Sequence, residues 1–211
     1  MTILTDSMIA LRNDKYELLH AFDPNIVKIE DEWCNAYFMA KFKVTVNAPT
    51  HYLTGDDMKS PKPTDSIVFY VEVPNGYPKT KPRVYYPAEK RLASVNVFPP
   101  LDKEKMYASQ CTDEWYPKTS SLFLLVEKTV RDIIHDPCVC RYDSMANSSL
   151  EDWHRENVKK GCFPTIDPAE IYKKAEDSRL RGESAKLPPV EAVKKPKRQI
   201  PPPGIVRKSE V

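Results

Sequence analysis

No apolar run in this 211-residue chain approaches the roughly 20 residues needed to span a bilayer, so no membrane-spanning helix is expected. The N-terminal stretch MTILTDSMIALRNDKYELL lacks the basic start and uninterrupted apolar core of a secretory signal, and a cytoplasmic location is expected. Cysteine is sparse and unpatterned. Cys34, Cys111, Cys138, Cys140 and Cys162 make an odd set of five without disulfide-framework spacing, which reads as free thiols. Cys138 and Cys140 form a C-x-C pair, but no second Cys/His pair at zinc spacing accompanies it, so neither a metal nor a cofactor is expected. No internal repeat is present, which excludes a solenoid or propeller. There is also little net charge, +2 overall. Residues 1–159 carry 20 Lys+Arg against 23 Asp+Glu, and residues 160–211 carry 12 against 7, giving a slightly acidic body and a basic tail. No aromatic residue is interleaved with the tail's cations to stack on bases, so nucleic acid is not an expected partner.

Apolar residues make up 41% of the chain and aromatics 10%, enough to build one core plus an appendage. Asp6 or Ser7 can cap a first helix over about 7–22, with Met8, Leu11, Leu18 and Phe22 on one stripe. A short strand follows over about 26–30. From 38 to 46 Phe38, Ala40, Phe42, Val44 and Val46 point one way, and Lys41, Lys43 and Thr45 the other, the pattern of a strand with one buried face. Residues 47–65 read as a polar loop. Ile67, Phe69, Val71 and Val73 repeat the period of two, Pro74-Asn75-Gly76 turns the chain, and a fourth strand spans about 83–86. Short connections between these strands predict an antiparallel meander. Residues 88–118 show no sustained period, and so long an irregular stretch directs the search for function there. An apolar helix is expected over about 120–135, capped by Ser120 or Ser121, with Leu122, Val126, Val130 and Ile133 buried and Asp136-Pro137 ending it. Further helices are expected over about 148–160, closed by Gly161, and from Asp167-Pro168-Ala169-Glu170 to about 182. The segment 186–211, with six prolines and seven Lys+Arg, has the composition of a disordered tail. The expected division is a domain over 1–160, a linker and helical extension over 161–185, and the basic tail.

Several local sequences are more specific than this order of elements. Val71-Glu72-Val73-Pro74-Asn75-Gly76-Tyr77-Pro78 and Lys81-Pro82-Arg83-Val84 place a strand, a proline-fixed turn with a tyrosine at its corner, and a second strand. Arg91-Leu92-Ala93-Ser94-Val95-Asn96-Val97 precedes Gln110-Cys111-Thr112-Asp113, then Trp115-Tyr116-Pro117, the apolar run 121–134 and Asp136-Pro137. Taken together, residues 7–160 resemble the ubiquitin-conjugating enzyme family. The first pair is similar to the signature of its third and fourth strands. Asn96 matches the asparagine of its His-Pro-Asn motif, Cys111 its active cysteine and Trp115-Tyr116-Pro117 its Trp-x-Pro. The chain departs from the family in Ser94 and Val95, which replace the motif's His and Pro, so the turn holding Asn96 must be fixed differently. The interval from Asn96 to Cys111 is longer, that from Cys111 to Trp115 shorter, and Cys138-Val139 replaces the usual Asn-Pro.

The resemblance implies an α+β fold with an N-terminal helix, a four-stranded antiparallel meander, an irregular active-site stretch and C-terminal helices. It also implies a function: accepting ubiquitin or a ubiquitin-like protein from an activating enzyme as a thioester on Cys111, and passing it to a lysine of a substrate protein, with a ligase as a possible further partner. Asn96 would donate to the oxyanion or shape the loop that does so. Asp143, with Asp113 second, would orient the attacking lysine. Arg12 and Lys15 on the first helix resemble the surface that meets the activating enzyme, and the loops at 74–82 and 117–121 the ligase-docking edge. Two other readings stand beside this one. One is a non-catalytic variant that binds ubiquitin-like proteins or a partner enzyme. The other is an unrelated scaffold whose basic tail carries the function.

Overall fold

Strands with one apolar face need a layer to cover it, and here the helices supply that layer. The computed structural model describes residues 6–32, 38–55, 57–100, 107–112 and 121–173. The fold is mixed α+β. Its elements in chain order are α1 (Asp6–Ala21), β1 (Val27–Asp31), β2 (Phe38–Val46), β3 (Thr50–Leu53), β4 (Lys62–Thr64), β5 (Ile67–Pro74), β6 (Arg83–Pro87), β7 (Arg91–Leu92), β8 (Tyr107–Ser109), α2 (Leu122–Ile133) and α3 (Glu151–Lys159). Among the described residues, five strands form an antiparallel sheet in the order β1-β2-β5-β6-β8, and β4-β3-β7 form a small second sheet. Phe42 pairs with Val71 and Val44 with Phe69, and these four are almost fully buried on the inner face. Burying each such side chain stabilises the fold by roughly 1.5–3 kcal/mol. Among the described residues no helix is long and apolar enough to cross a membrane.

The four expected strands form in the expected order, but the sheet does not stop at four. β8 pairs with β6 from within the stretch expected to be irregular, and β7 pairs with β3 from the same stretch. The expected loop over 47–65 contains β3 and β4 as well. Thr50 and Leu53 are buried there, and Pro63 is tolerated because β4 is an edge strand. Leu18 of α1 and Phe22, just past its end, are buried, whereas Met8 in the first turn is 41% exposed. Ser121 caps α2 by accepting from the Leu124 N–H. Tyr77 fills the corner after β5: its hydroxyl donates to the Asp14 carboxylate of α1 and accepts from the Leu122 N–H at 3.1 Å. One phenol thus joins α1, the turn and the start of α2.

Of the helix expected from Asp167 to about 182, the described residues form a single 3-10 turn, Pro168–Ile171, and 174–182 lie outside the described residues. Its cap forms as expected, with the Asp167 carboxylate accepting from Ala169 N–H. Burial of Ile171 and an isolated bridge from Tyr172 to Phe22 then pull the chain into an extended path, so tertiary pairing overrides local helix propensity. Phe163 and Ile171 of this segment are buried, and Ile166 and Tyr172 pack against the core. Cys34, Asp113, Trp115 to Pro117, Ser120 and the tail 186–211 lie outside the described residues.

At the end of α2 the chain turns through His135 at φ 58°, with Asp136 N–H donating to Arg131 C=O and His135 N–H to Asp132 C=O. This is the Schellman arrangement, with histidine where glycine is usual. The ring compensates by packing: it is buried and stacks on Phe163 at 4.2 Å, beside His51, Trp153 and His154. Burial lowers the His51 and His135 pKa values and brings His154 down to about 4, with the Arg155 charge adding to the last. All three are therefore neutral in the folded state at neutral pH. In the unfolded chain they take up protons below about pH 6.5, so stability should fall as pH drops from there towards 4. His154 alone accounts for about 3 kcal/mol of that loss. Buried Asp132, raised to about 6 by desolvation, titrates in the opposite sense and gives part of it back. Urea unfolding at pH 7, 5.5 and 4 should show this decline, and Asp132→Asn should make it steeper.

Candidate active site

The strand register delivers Cys111 to its position. Phe98 N–H donates to Ser109 C=O and Gln110 N–H to Val84 C=O, both at 2.9 Å, while Val97 and Gln110 form a bridge. The next N–H, that of Cys111, donates to Asn96 C=O at 2.8 Å. Cys111 is half-buried on the rim of an open groove of about 510 Å³, whose walls include Arg83 and Tyr85 of β6 and Tyr107 and Ser109 of β8.

Behind that rim lies a buried carboxylate. Asp132 has no exposed surface, and three residues donate to it. Ser94 Oγ reaches both oxygens at 2.8 and 2.9 Å, Asn96 Nδ2 reaches Oδ1 at 2.9 Å, and Gln110 Nε2 reaches Oδ2 at 2.9 Å. Burial pushes its pKa up to about 6, while the hydrogen bonds from Gln110, Ser94 and Asn96 pull it back, leaving it mostly ionised at neutral pH. Ser94 also accepts from the Asn96 N–H at 3.0 Å. Ser94 thus ties the turn that carries Asn96 to Asp132. Tyr86 completes the cluster by donating to Gln110 Oε1 at 2.8 Å.

Asn96 is 2% exposed, and both its amide hydrogens are committed, one to Asp132 and one to Val139 C=O at 3.2 Å. Its Oδ1 accepts from the Arg141 N–H at 3.3 Å. The side chain therefore staples the loop that follows α2 onto the turn beside Cys111. Of the two roles expected for Asn96, this geometry is that of shaping the loop. Ala146 and Asn147 N–H add to the staple by donating to Val95 C=O at 2.8 and 3.0 Å.

Asp143 lies on the same loop with its side chain 74% exposed, held by both the Nε and Nη2 of Arg141 at 3.0 Å. Those hydrogen bonds keep its carboxyl below the usual range, so it is ionised at neutral pH. Arg141 is also close enough to Cys111 for their charges to interact. The other cysteines differ. Cys138 and Cys162 are exposed. Cys140 lies against His154 Nε2 at 3.3 Å, while Tyr142 Oη lies 2.7 Å from His154 Nδ1. Burial pushes the Cys140 thiol well up and disfavours its thiolate. Among the described residues no group of three His, Cys, Asp or Glu side chains could hold a metal ion. Lys15 of α1 pairs with Asp31 at 2.6 Å, and Arg12 is exposed.

Asp132 and Gln110 were missed as site residues in the sequence. Asp132 falls seven residues after Leu125, on the apolar stripe of α2, and a charge on such a stripe is the available signal. Comparisons of the chain with protein-family models, curated proteins and solved structures return no match.

Removing the carboxylate should strand several buried donors. Asp132→Ala is expected to cost about 2–4 kcal/mol in urea unfolding and Ser94→Ala about 1–2 kcal/mol. With the turn loosened, alkylation of Cys111 by iodoacetamide should accelerate in both variants.

Proposed function

We propose that the chain is a ubiquitin-conjugating-type transferase. Cys111 accepts a ubiquitin-like protein from an activating enzyme as a thioester and passes it to a lysine amine of a substrate protein. One observation carries the reading: Cys111 stands on the rim of an open groove with its N–H bound to Asn96 C=O, in a turn fixed from behind by Asp132. A nucleophile in this reaction has to be reached by a large acyl donor and then by an amine, and a rim position suits both. The reading extends to the fold as a ubiquitin-conjugating-like domain, with β8 and the small second sheet as departures.

In the first step the Cys111 thiolate attacks the thioester carbonyl, and the activating enzyme's thiolate leaves. In the second the lysine nitrogen attacks the new thioester, loses a proton and expels the Cys111 thiolate. Asn96 acts by holding the loop, since both its donors are already engaged. Asp143, ionised and exposed, orients the incoming amine by accepting from it, with Arg141 fixing the carboxylate.

Incubation with ATP, an activating enzyme and its ubiquitin-like protein should yield an adduct that reductant cleaves, and Cys111→Ser should lose it. Asp143→Ala should charge normally and discharge to free lysine more slowly, by about 10²-fold or more. A Cys111→Ser protein that charges as well as the wild type removes the assignment.

A further inference from the structure

The C-x-C pair, Cys138 and Cys140, has no part in the thioester chemistry, and its two thiols stand in unlike surroundings. Cys138 is exposed, with its N–H held by Asp136 Oδ1 at 2.9 Å. Cys140 is partly buried, and its sulfur has two partners, Asp136 C=O at 3.5 Å and His154 Nε2 at 3.3 Å. Sulfur is a weak donor and a weak acceptor, so little holds this side chain in its pocket. Pro137–Val139 form a 3-10 turn. Cα atoms two residues apart in such a turn stand roughly 5 Å from each other, within the span that a disulfide bridges. The two sulfurs are close enough for the charge of one to act on the other.

Between the two cysteines lies a peptide unit to which the candidate site is tied. Val139 C=O accepts one amide hydrogen of Asn96 at 3.2 Å, and the N–H of Arg141, the residue after Cys140, donates to Asn96 Oδ1 at 3.3 Å. Asn96 C=O in turn accepts from the Cys111 N–H at 2.8 Å. The backbone of the C-x-C segment therefore reaches the turn beside Cys111 through one side chain.

We propose that Cys138 and Cys140 form a reversible dithiol–disulfide site, oxidised by low-molecular-weight disulfides, and that closing the bridge slackens the Asn96 staple beside Cys111. The exposed Cys138 reacts first. Its thiolate attacks one sulfur of the oxidant, forms a mixed disulfide and expels a small thiolate. Burial disfavours the Cys140 thiolate, which assigns this residue the second step. Its side chain turns away from His154, attacks the Cys138 sulfur and displaces the other half of the oxidant, which leaves with the Cys140 proton. Two electrons pass from the dithiol to the oxidant, and two small thiols are released. The bridge encloses the Val139 backbone in a small ring. Val139 C=O and Arg141 N–H flank Cys140 and move with it, and these are the bonds by which Asn96 holds the loop. A disulfide across so short a span is strained, and strained disulfides are readily reduced again, which makes the site reversible.

The test needs neither a modifier nor an activating enzyme, so its failure is separate from that of the thioester reading. Trypsin, cutting after Arg131 and Arg141, isolates both cysteines in the peptide 132–141, which holds no other. The full chain is equilibrated in glutathione buffers of rising disulfide content, quenched in acid, alkylated and digested. The peptide should appear in a form two hydrogens lighter that takes up no alkylating agent, and dithiothreitol should return it to the dithiol. In Cys138→Ser, Cys140 should stay a free thiol at every buffer ratio. Amide hydrogen exchange, read residue by residue by NMR, then follows the staple. The Arg141 and Cys111 N–H groups should exchange about three- to tenfold faster in the disulfide form than in the dithiol, the weight of one hydrogen bond each. Cys138→Ser taken through the same buffers should show no such change, which controls for glutathione on the remaining cysteines. A peptide that carries glutathione on Cys138 while Cys140 stays free, a bridge from either cysteine to Cys111 or Cys162, or no reaction at all overturns the site. Equal exchange in the two forms, or an equal change in Cys138→Ser, overturns the coupling to Asn96 and the proposal with it.

Discussion

A carboxylate in a protein interior must be surrounded by donors or give up its charge, and Asp132 is surrounded by three donors from two other parts of the chain. Ser94 and Asn96 come from the turn after β7, Gln110 from the residue after β8, and Asp132 itself from α2. These segments have no reason in their local sequences to meet at one point. The buried charge supplies the reason, because each donor that leaves adds to the cost of keeping it. The position of Cys111 follows from this: it succeeds one of the donors, and its own N–H binds the backbone of another.

How far the sequence foretold this varies with the kind of signal. The alternation in β2 and β5 is long and regular, and Phe42, Val44 and Val46 of β2 and Ile67, Phe69, Val71 and Val73 of β5 are buried as that alternation predicts. Tyr77 was expected at a corner and is found there, because two prolines and a glycine leave its turn few alternatives. β8 has only three residues and no period to display; its partner β6 decides its conformation. The Asp167 cap was legible and formed, yet within the described residues it opens only one 3-10 turn, since burying Ile171 and pairing Tyr172 with Phe22 outweigh helix propensity there. At the site, Cys111 and Asn96 were legible as a pair through a resemblance. Asp132 was not, because a pattern that counts apolar positions passes over the one polar residue among them.

The contrast between Cys111 and Cys140 separates position from chemistry. Both are partly buried thiols close to the same loop. Cys140 is hemmed in by Asp136, His154 and Tyr142, with the neutral imidazole of His154 as its hydrogen-bond partner and carboxylates contributing to its raised pKa. Cys111 opens onto a groove whose walls also hold Arg83, Tyr85 and Tyr107. A thiolate is disfavoured in the first setting, and in the second the sulfur stands where a ligand can reach it. The histidine cluster beneath α2 belongs with Cys140: it behaves as apolar filling that happens to contain nitrogen, and it stays that way only while uncharged.

Sharing one acceptor among Ser94, Asn96 and Gln110 makes those residues energetically dependent on one another. Once one donor is gone and the carboxylate has weakened or taken a proton, losing a second costs less than it would alone, so paired substitutions should not sum. The dependence is uneven: without Asp132 the Ser94 hydroxyl and the Gln110 amide lose their shared acceptor, whereas Asn96 keeps its bonds to Val139 C=O and the Arg141 N–H and goes on holding the loop.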